Sequence, residues 1–410
     1  MIRRDFITTT GYASLLAMAF NGLAHARQLK NSQHLVATPE KRAEYLAKML
    51  HQLCTNLGPH PSGSPEYEKA AMIIKKEMEL ALPIVELDQY FFEKWELIGN
   101  PEFYVGETLL ETYPAHGCSP TPAGGISGIL KKPDEGRIPY AVVAESSDEI
   151  LAHVTVSSYG RAVPRHTGGK GLRPLPRFDI GKQDIHHLES AVKNRTPVHA
   201  YVQCRFIPDA PSWNIIGTLP GKSREEILFL AHADTVYSAP GANDNTASMI
   251  TMLMLAHAFS GTKPNRTITF VATGNEEDGL LGAKNYAKRR EDEGTLKNIT
   301  FIVNFDSLTY GPDLQVYSKD EELKSLIVSI DRDLKVNGTP KLFDQDGYSL
   351  DAAPFRKSGA RAVYINSRGY NKKTLHLWHR PEDIPEAVPV DCVEGSFLVF
   401  KEYIKRVQDL

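Results

Sequence analysis

The chain has 410 residues, a formal net charge of −3, and a composition that is 41% hydrophobic and 24% charged. That is enough apolar residues for a sizeable core and about two to three domains of globular protein. There is neither a basic excess nor a long block of like charge, so composition excludes a nucleic acid or another polyanion as the expected partner.

The N-terminus reads as a processed segment. Arg3-Arg4 is followed by Asp5-Phe6-Ile7, close to the twin-arginine pattern of the Tat exporter. A weakly apolar stretch from Gly11 to Leu23 is broken by Asn21 and Gly22, and Ala24-His25-Ala26 offers the small residues that signal peptidase cleaves after. Residues 1–26 are therefore expected to be a Tat-type signal peptide, with the mature protein periplasmic or secreted. No apolar run approaches the ~18 residues of a membrane span, so none is expected after cleavage. Cys54, Cys118, Cys204 and Cys392 form no CxxC pair, which argues against a thiolate metal site. An oxidising compartment would allow one or two disulfides among them, and the spacing leaves the pairing open.

Residues 40–56 carry Leu46, Met49, Leu50 and Leu53 at the spacing of an amphipathic helix. Ser64-Pro65-Glu66 is a helix start, with serine as cap and proline at the first helical position, and Ala70, Ile73, Ile74 and Met78 continue it. Val85 to Tyr90 alternates like a strand. From 96 to 212 the chain turns rich in Pro, Gly and Ser, with short β-like runs at Ala141–Ala144, Val154–Val156 and His199–Val202 and one helix from Asp184 to Val192. This segment reads as a β-rich insertion, a lid or a satellite domain of the protease-associated kind, between the two parts of a catalytic domain at 27–95 and 213–410. His186-His187 on its helix reads as a surface pair.

Beyond 213 the pattern alternates strand and helix. Ile227–Leu230, Thr267–Val271, Phe301–Val303 and Ala362–Ile365 are apolar runs without polar alternation, as in strands buried on both faces. Helical segments at 244–260, 280–291, 320–335, 350–358 and 391–407 lie between or after them. The expected fold is α/β, a three-layer sandwich with a mostly parallel mixed sheet flanked by helices, plus the β-rich insertion.

Open α/β sheets place their sites where loops leave the carboxyl ends of strands. Here those positions hold His232, Asp244 in the loop that follows, Glu276-Glu277, Asp306 and His379. Singly, each has an ordinary explanation: a hydrogen-bonded loop histidine, a helix cap, a solvated acid. Together they would gather acids at one rim, whose repulsion bound cations would offset. Nitrogen and oxygen donors without thiolate suit zinc, with cobalt or manganese as substitutes. Two ions about 3.5–4 Å apart can share one carboxylate and a water, with one further His and one acid on each ion and a free base. This sequence supplies that inventory.

The stretches Ser212 to Gly221 (SWNIIGTLPG), His232-Ala233-Asp234, Pro240 to Asn245 (PGANDN), Asn275 to Gly282 (NEEDGLLG) and His379 to Asp383 (HRPED) resemble the M28 family of zinc aminopeptidases, and Ser62-Gly63-Ser64-Pro65 is similar to that family's entry segment. The resemblance covers 40–95 and 213–410 and is weak across the insertion. It implies the zinc-peptidase fold, a peptide substrate and two zinc ions. His232 and Asp306 would bind one ion, Glu277 and His379 the other, and Asp244 would bridge. Asp234 would orient and polarise His232 through its carboxylate. Glu276 would serve as general base and then acid. Tyr348 is a candidate oxyanion donor. The sequence departs from the family's pattern at Met249 and Asn275, where changed packing or substrate preference is expected. His376 competes with His379 for its place.

Two other readings fit parts of the pattern. A glutaminyl cyclase-like transferase also has a Glu-Glu pair and a Trp-His segment like Trp378-His379, but works with a single zinc. A non-catalytic binding scaffold could share the fold, although such relatives lose ligands or the base, all present here.

Overall fold

The computed structural model describes residues 32–133, 138–147, 149–158, 160–166, 175–336, 338–367 and 377–410. The expected signal peptide and His376 lie outside these residues. Two proline-led helices open the described chain. In α1 (Pro39–Leu50) the Thr38 side chain accepts from the Lys41 amide, and in α2 (Pro65–Ala81) Ser64 Oγ accepts from the Tyr67 amide at 3.0 Å. Each cap satisfies a first-turn N–H that the helix itself cannot.

β1 (Ile84–Val105) leads into the insertion, which contains β2 (Thr108–Leu109), β3 (Thr112–Pro114), β4 (Ile126–Lys131), β5 (Tyr140–Val143), β6 (Ile150–Ser157), β7 (Arg177–Gly181) and α3 (Ile185–Asn194). The chain returns along β8 (Pro197–Leu219), antiparallel to β1 from Ile84↔Thr218 to Val105↔Val198. The boundaries read from composition, at 95/96 and 212/213, thus fall inside two strands that run from one region into the other. The insertion nevertheless has its own core, built from Phe103, Val142, Val154, Phe178, Leu188 and Val202 among others.

The remainder is β9 (Ser223–His232), α4 (Ala247–Phe259), β10 (Arg266–Thr273), α5 (Leu281–Asp292), β11 (Ile299–Phe305), β12 (Gln315–Tyr317), α6 (Glu321–Leu334), β13 (Lys341–Phe343), a 3₁₀ segment Leu350–Ser358, β14 (Arg361–Asn366) and α7 (Val390–Val407). The sheet order is β13-β12-β14-β11-β9-β10-β8-β4-β5-β6-β7-β3, with β1 on β8 and β2 on β1. The strands β14, β11, β9 and β10 are mutually parallel at the centre, and β8 and β12 close that block antiparallel on either side.

Successive residues of β9 enter opposite cores, because side chains alternate along a strand. Ile227, Phe229 and Ala231 face a core with α1, α2, α4, α6 and α7, whereas Leu228 and Leu230 face a second with α5 and the 3₁₀ segment. That is why β9 reads as an unbroken apolar run. α4 is buried on nearly all sides, from Ala247 to His257, so its sequence carries no amphipathic stripe. The expected three-layer α/β fold is the one observed.

Candidate metal centre

Three parallel strands of the central block end at one rim. β9 ends on His232, β10 leads through Gly274 and Asn275 into Glu276-Glu277-Asp278, and β11 leads into Asp306. Asp244 reaches the same rim from the loop after β9, and His379 from the chain between β14 and α7.

That loop is shaped by its backbone. Gly241 has φ +65°, and a Cβ there would lie 2.5 Å from the Asp244 carbonyl oxygen and from a Thr235 methyl, so only glycine fits. Buried Asp383 accepts the Asn243 amide (3.0 Å), the Asn243 side-chain amide (2.9 Å) and the Asp244 amide (3.1 Å). Asn245 donates to the Phe305 carbonyl at 2.8 Å and accepts the Ser307 amide at 2.9 Å, locking the loop to the end of β11. Asn275, the departure noted above, has φ +52° and is held on three sides. Its amide donates to Ser62 Oγ, its Oδ1 accepts from the Tyr90 hydroxyl, and its Nδ2 donates to Asp278, each at 2.8 Å.

The five expected ligands converge as two overlapping sets. His232, Asp244 and Asp306 place one donor atom each within 4.8 Å of one another, and so do Asp244, Glu277 and His379. Asp244 belongs to both. Its Oδ1 lies 3.5 Å from His232 Nε2 and its Oδ2 lies 3.6 Å from His379 Nε2. Asp306 Oδ1 is 3.9 Å from His232 Nε2, and Glu277 Oε2 is 3.2 Å from His379 Nε2. Both imidazoles are oriented from behind by main-chain carbonyls, His232 Nδ1 by Asp234 at 3.0 Å and His379 Nδ1 by Pro164 at 3.0 Å. A carbonyl only accepts, so each Nδ1 carries the proton and each Nε2 turns its lone pair toward carboxylate oxygens.

The donor set fits a pair of divalent ions. Buried carboxylates and imidazole lone pairs facing one another repel unless protons or cations lie between them. The protonation tendencies say the same. Burial pulls His232 down, but Asp244, Asp306, Glu276 and Asp234 outweigh it and raise the imidazole well above its ordinary value. Burial raises Glu276 well above the carboxylate range, with Glu277, Asp306 and Asp351 adding to it against His232.

One expectation is revised in part and another corrected. Asp234 reaches His232 through its carbonyl, while its carboxylate is 3.8 Å from that ring and instead accepts the Glu276 amide at 3.1 Å. It therefore positions the Glu276 backbone. Tyr348 is not brought to the centre. Its hydroxyl donates to the Ala360 carbonyl just before β14 starts, and its ring packs on the core beneath α5, because the site lies at the opposite end of that strand.

Contacts missed by sequence reasoning complete the centre. Ser307 Oγ donates toward Asp244 Oδ1 (3.0 Å) and Asp306 Oδ1 (3.1 Å), and the Tyr364 hydroxyl to Asp306 Oδ2 (3.3 Å). Ser307 directly follows Asp306, which was the available signal. The centre opens into a cavity of about 610 Å³ whose lining includes His116, Pro164, Arg165, His166 and Arg177 of the insertion. The His186-His187 pair lies on α3, outside that lining, with His186 exposed.

Residues 214–400, from the end of β8 to α7, match peptidase family M28. Residues 214–400 are thus an M28 peptidase domain. The matched residues contain all five donors, Asp234 and Glu276, whereas the insertion lies outside them. Over 95% of its length the chain is 24% identical to aminopeptidase YwaD of Bacillus subtilis, covering 90% of that protein. Its fold is similar to that of a zinc aminopeptidase from Bacillus subtilis (TM-score 0.69, 20% identity, 89% of this chain and 95% of that one). It is also similar to that of a peptidase M28 precursor from Shewanella amazonensis (TM-score 0.75, 17% identity, 93% and 96%). Both likenesses extend through the insertion.

Proposed function

We propose that this M28 peptidase is a two-zinc aminopeptidase that releases N-terminal residues from peptides. The observation that carries the reading is the position of Asp244, whose two oxygens face two separate histidine-and-acid sets. His232 and Asp306 would hold one ion and Glu277 and His379 the other, with Asp244 shared between them. Zinc suits imidazole and carboxylate donors, and cobalt or manganese could replace it. When bound, the ions supply Lewis acidity toward a peptide carbonyl and a water molecule.

Glu276 has a donor oxygen within 4.8 Å of those of His232 and Glu277 but belongs to neither of the two sets that share Asp244, so it serves as the free base. It takes a proton from the attacking water and hands it to the departing amine. Asp234 holds the Glu276 amide, and the carbonyls of Asp234 and Pro164 hold the two imidazoles. Together these bonds preorganise the centre before substrate arrives. N-terminal release is taken from the likeness to the Bacillus aminopeptidase over nearly the whole chain. Export through Tat rests on Arg3-Arg4 and the small residues at 24–26. Among the described residues no helix is long and apolar enough to cross a membrane.

The test is product analysis by mass spectrometry on zinc- or cobalt-loaded protein with matched free and N-acetylated peptides. Stepwise loss of N-terminal residues from the free peptides alone is expected. Trimming of the acetylated peptides from their C-terminus would contradict the aminopeptidase reading. Pyroglutamate formation from a Gln-peptide with no cleavage would favour the cyclase instead.

A further inference from the structure

The insertion side of the cavity carries cationic groups that the metal centre does not use. Arg177 opens β7 half-buried, and among the described residues its Nε, fully buried, has no hydrogen-bond acceptor. Arg165 Nε is also buried without one, and lies 3.3 Å from Asp179 Oδ2. Asp179 is the nearby counter-charge, fully buried, and it already accepts the Val163 amide at 3.0 Å and the Thr155 hydroxyl at 3.1 Å. One carboxylate thus faces two guanidinium groups, leaving a positive charge in excess. The other charges on this wall are engaged with each other: His116 Nε2 meets Asp278 Oδ1 at 2.9 Å, and the His166 ring stacks on His116 at 5.3 Å. Burial lowers the Arg177 pKa, as expected for a cation short of partners.

Two partly buried guanidinium groups that share one carboxylate are costly unless a further anion reaches them from the cavity they line, and a guanidinium's planar fork matches a carboxylate in two-pronged fashion. The cavity is of a size that suits a small ligand or short peptide. A short peptide with its N-terminal residue at the metal centre always brings one anion, its C-terminal carboxylate, and an Asp or Glu side chain can bring another. Resting on the aminopeptidase reading above, we propose that Arg165 and Arg177 form a carboxylate-binding subsite on the insertion side of the cavity, selecting short peptides that bring a carboxylate to it.

Binding to the metal-loaded Glu276→Gln protein, measured by isothermal titration, reads this without turnover, so the result stands whether or not the wild-type protein cleaves peptides. The probes are Leu-Gly, Leu-Gly amide and Leu-Glu amide. Leu-Gly, or Leu-Glu amide if the side chain is the source, is expected to bind at least about tenfold more tightly than Leu-Gly amide. Arg177→Met is expected to remove that difference. Equal affinity of all three probes overturns the proposal, and so does a preference that survives in Arg177→Met, which would mean the metal ions take the carboxylate. Should the Met variant not fold, Arg177→Lys keeps the charge without the fork, and a preference of undiminished size in it also overturns the proposal. The aminopeptidase reading is tested separately by release of leucine from Leu-Gly amide by the wild-type protein.

Discussion

His379 Nδ1 lies 3.0 Å from the main-chain carbonyl of Pro164, so a residue of the insertion orients an imidazole of the candidate metal centre. Arg380 secures this contact. It is almost fully buried, donates to the Ala162 carbonyl, and meets Glu111 at 2.9 Å, while Arg161 bridges Glu111 and Glu382 at 2.7 and 2.6 Å. Removing the guanidinium should loosen residues 161–165 from His379. Arg380→Met is expected to weaken one of the two metal sites by ~10-fold and to leave the other nearly unchanged, in competition with a chromophoric chelator. Two unchanged affinities would mean that the insertion does not support the centre.

Glu276 is assigned proton transfer, and its neighbour Glu277 metal binding. Glu276→Gln should keep both ions and lose at least ~10²-fold in kcat. Glu277→Gln should lose an ion. Metal analysis alongside steady-state rates separates the two, and loss of metal from the Glu276 variant would mean the roles are reversed.

Asp383 shapes the loop that carries Asp244 and belongs to none of the candidate donor sets. With Asp383→Ala, three buried N–H donors lose their acceptor, at an expected cost of ~2–4 kcal/mol in stability. Asp383→Asn retains one acceptor oxygen and should cost less. Thermal unfolding of the metal-free proteins gives the order, and an alanine variant as stable as wild type would show that water replaces the carboxylate.

Far from the centre, Glu77 sets an acid limit. Burial alone would raise its pKa, but His257 and Lys48, the latter at 2.8 Å, outweigh this and hold it at about 2. A carboxylate depressed in the folded state adds stability above its unfolded value near 4.5, and loses it as pH falls toward 2. Allowing for solvent screening at the exposed Lys48, the contribution at neutral pH is ~1–2 kcal/mol. Glu77→Gln should therefore lower Tm at pH 7 and narrow the gap to wild type as pH falls from 5 to 3. A gap that stays constant over that range would remove Glu77 from acid unfolding.

Much of this site could be read in advance because its donors sit at strand ends, where the alternation of apolar runs and loops marks them. His232, Glu277 and Asp306 each follow a run that the two-sided core forces to be apolar. Helix starts such as Ser64-Pro65 were legible because capping is local. What could not be read depends on main-chain groups or on long-range direction. The Pro164 and Asp234 carbonyls have no residue-type signature, since every residue carries one. Tyr348 looked well placed by its neighbours, but which end of β14 it faces depends on how the chain folds back. The insertion boundary was misplaced because β1 and β8 run through it without a break in pattern.

The most direct test is the metal content of purified wild-type and Asp244→Asn proteins after loading with zinc and removal of the excess. Two ions per chain are expected in the wild type, and at most one in the variant, because Asp244 is shared by both sets. One ion per chain in the wild type, or two retained without the Asp244 carboxylate, would contradict the shared-carboxylate centre.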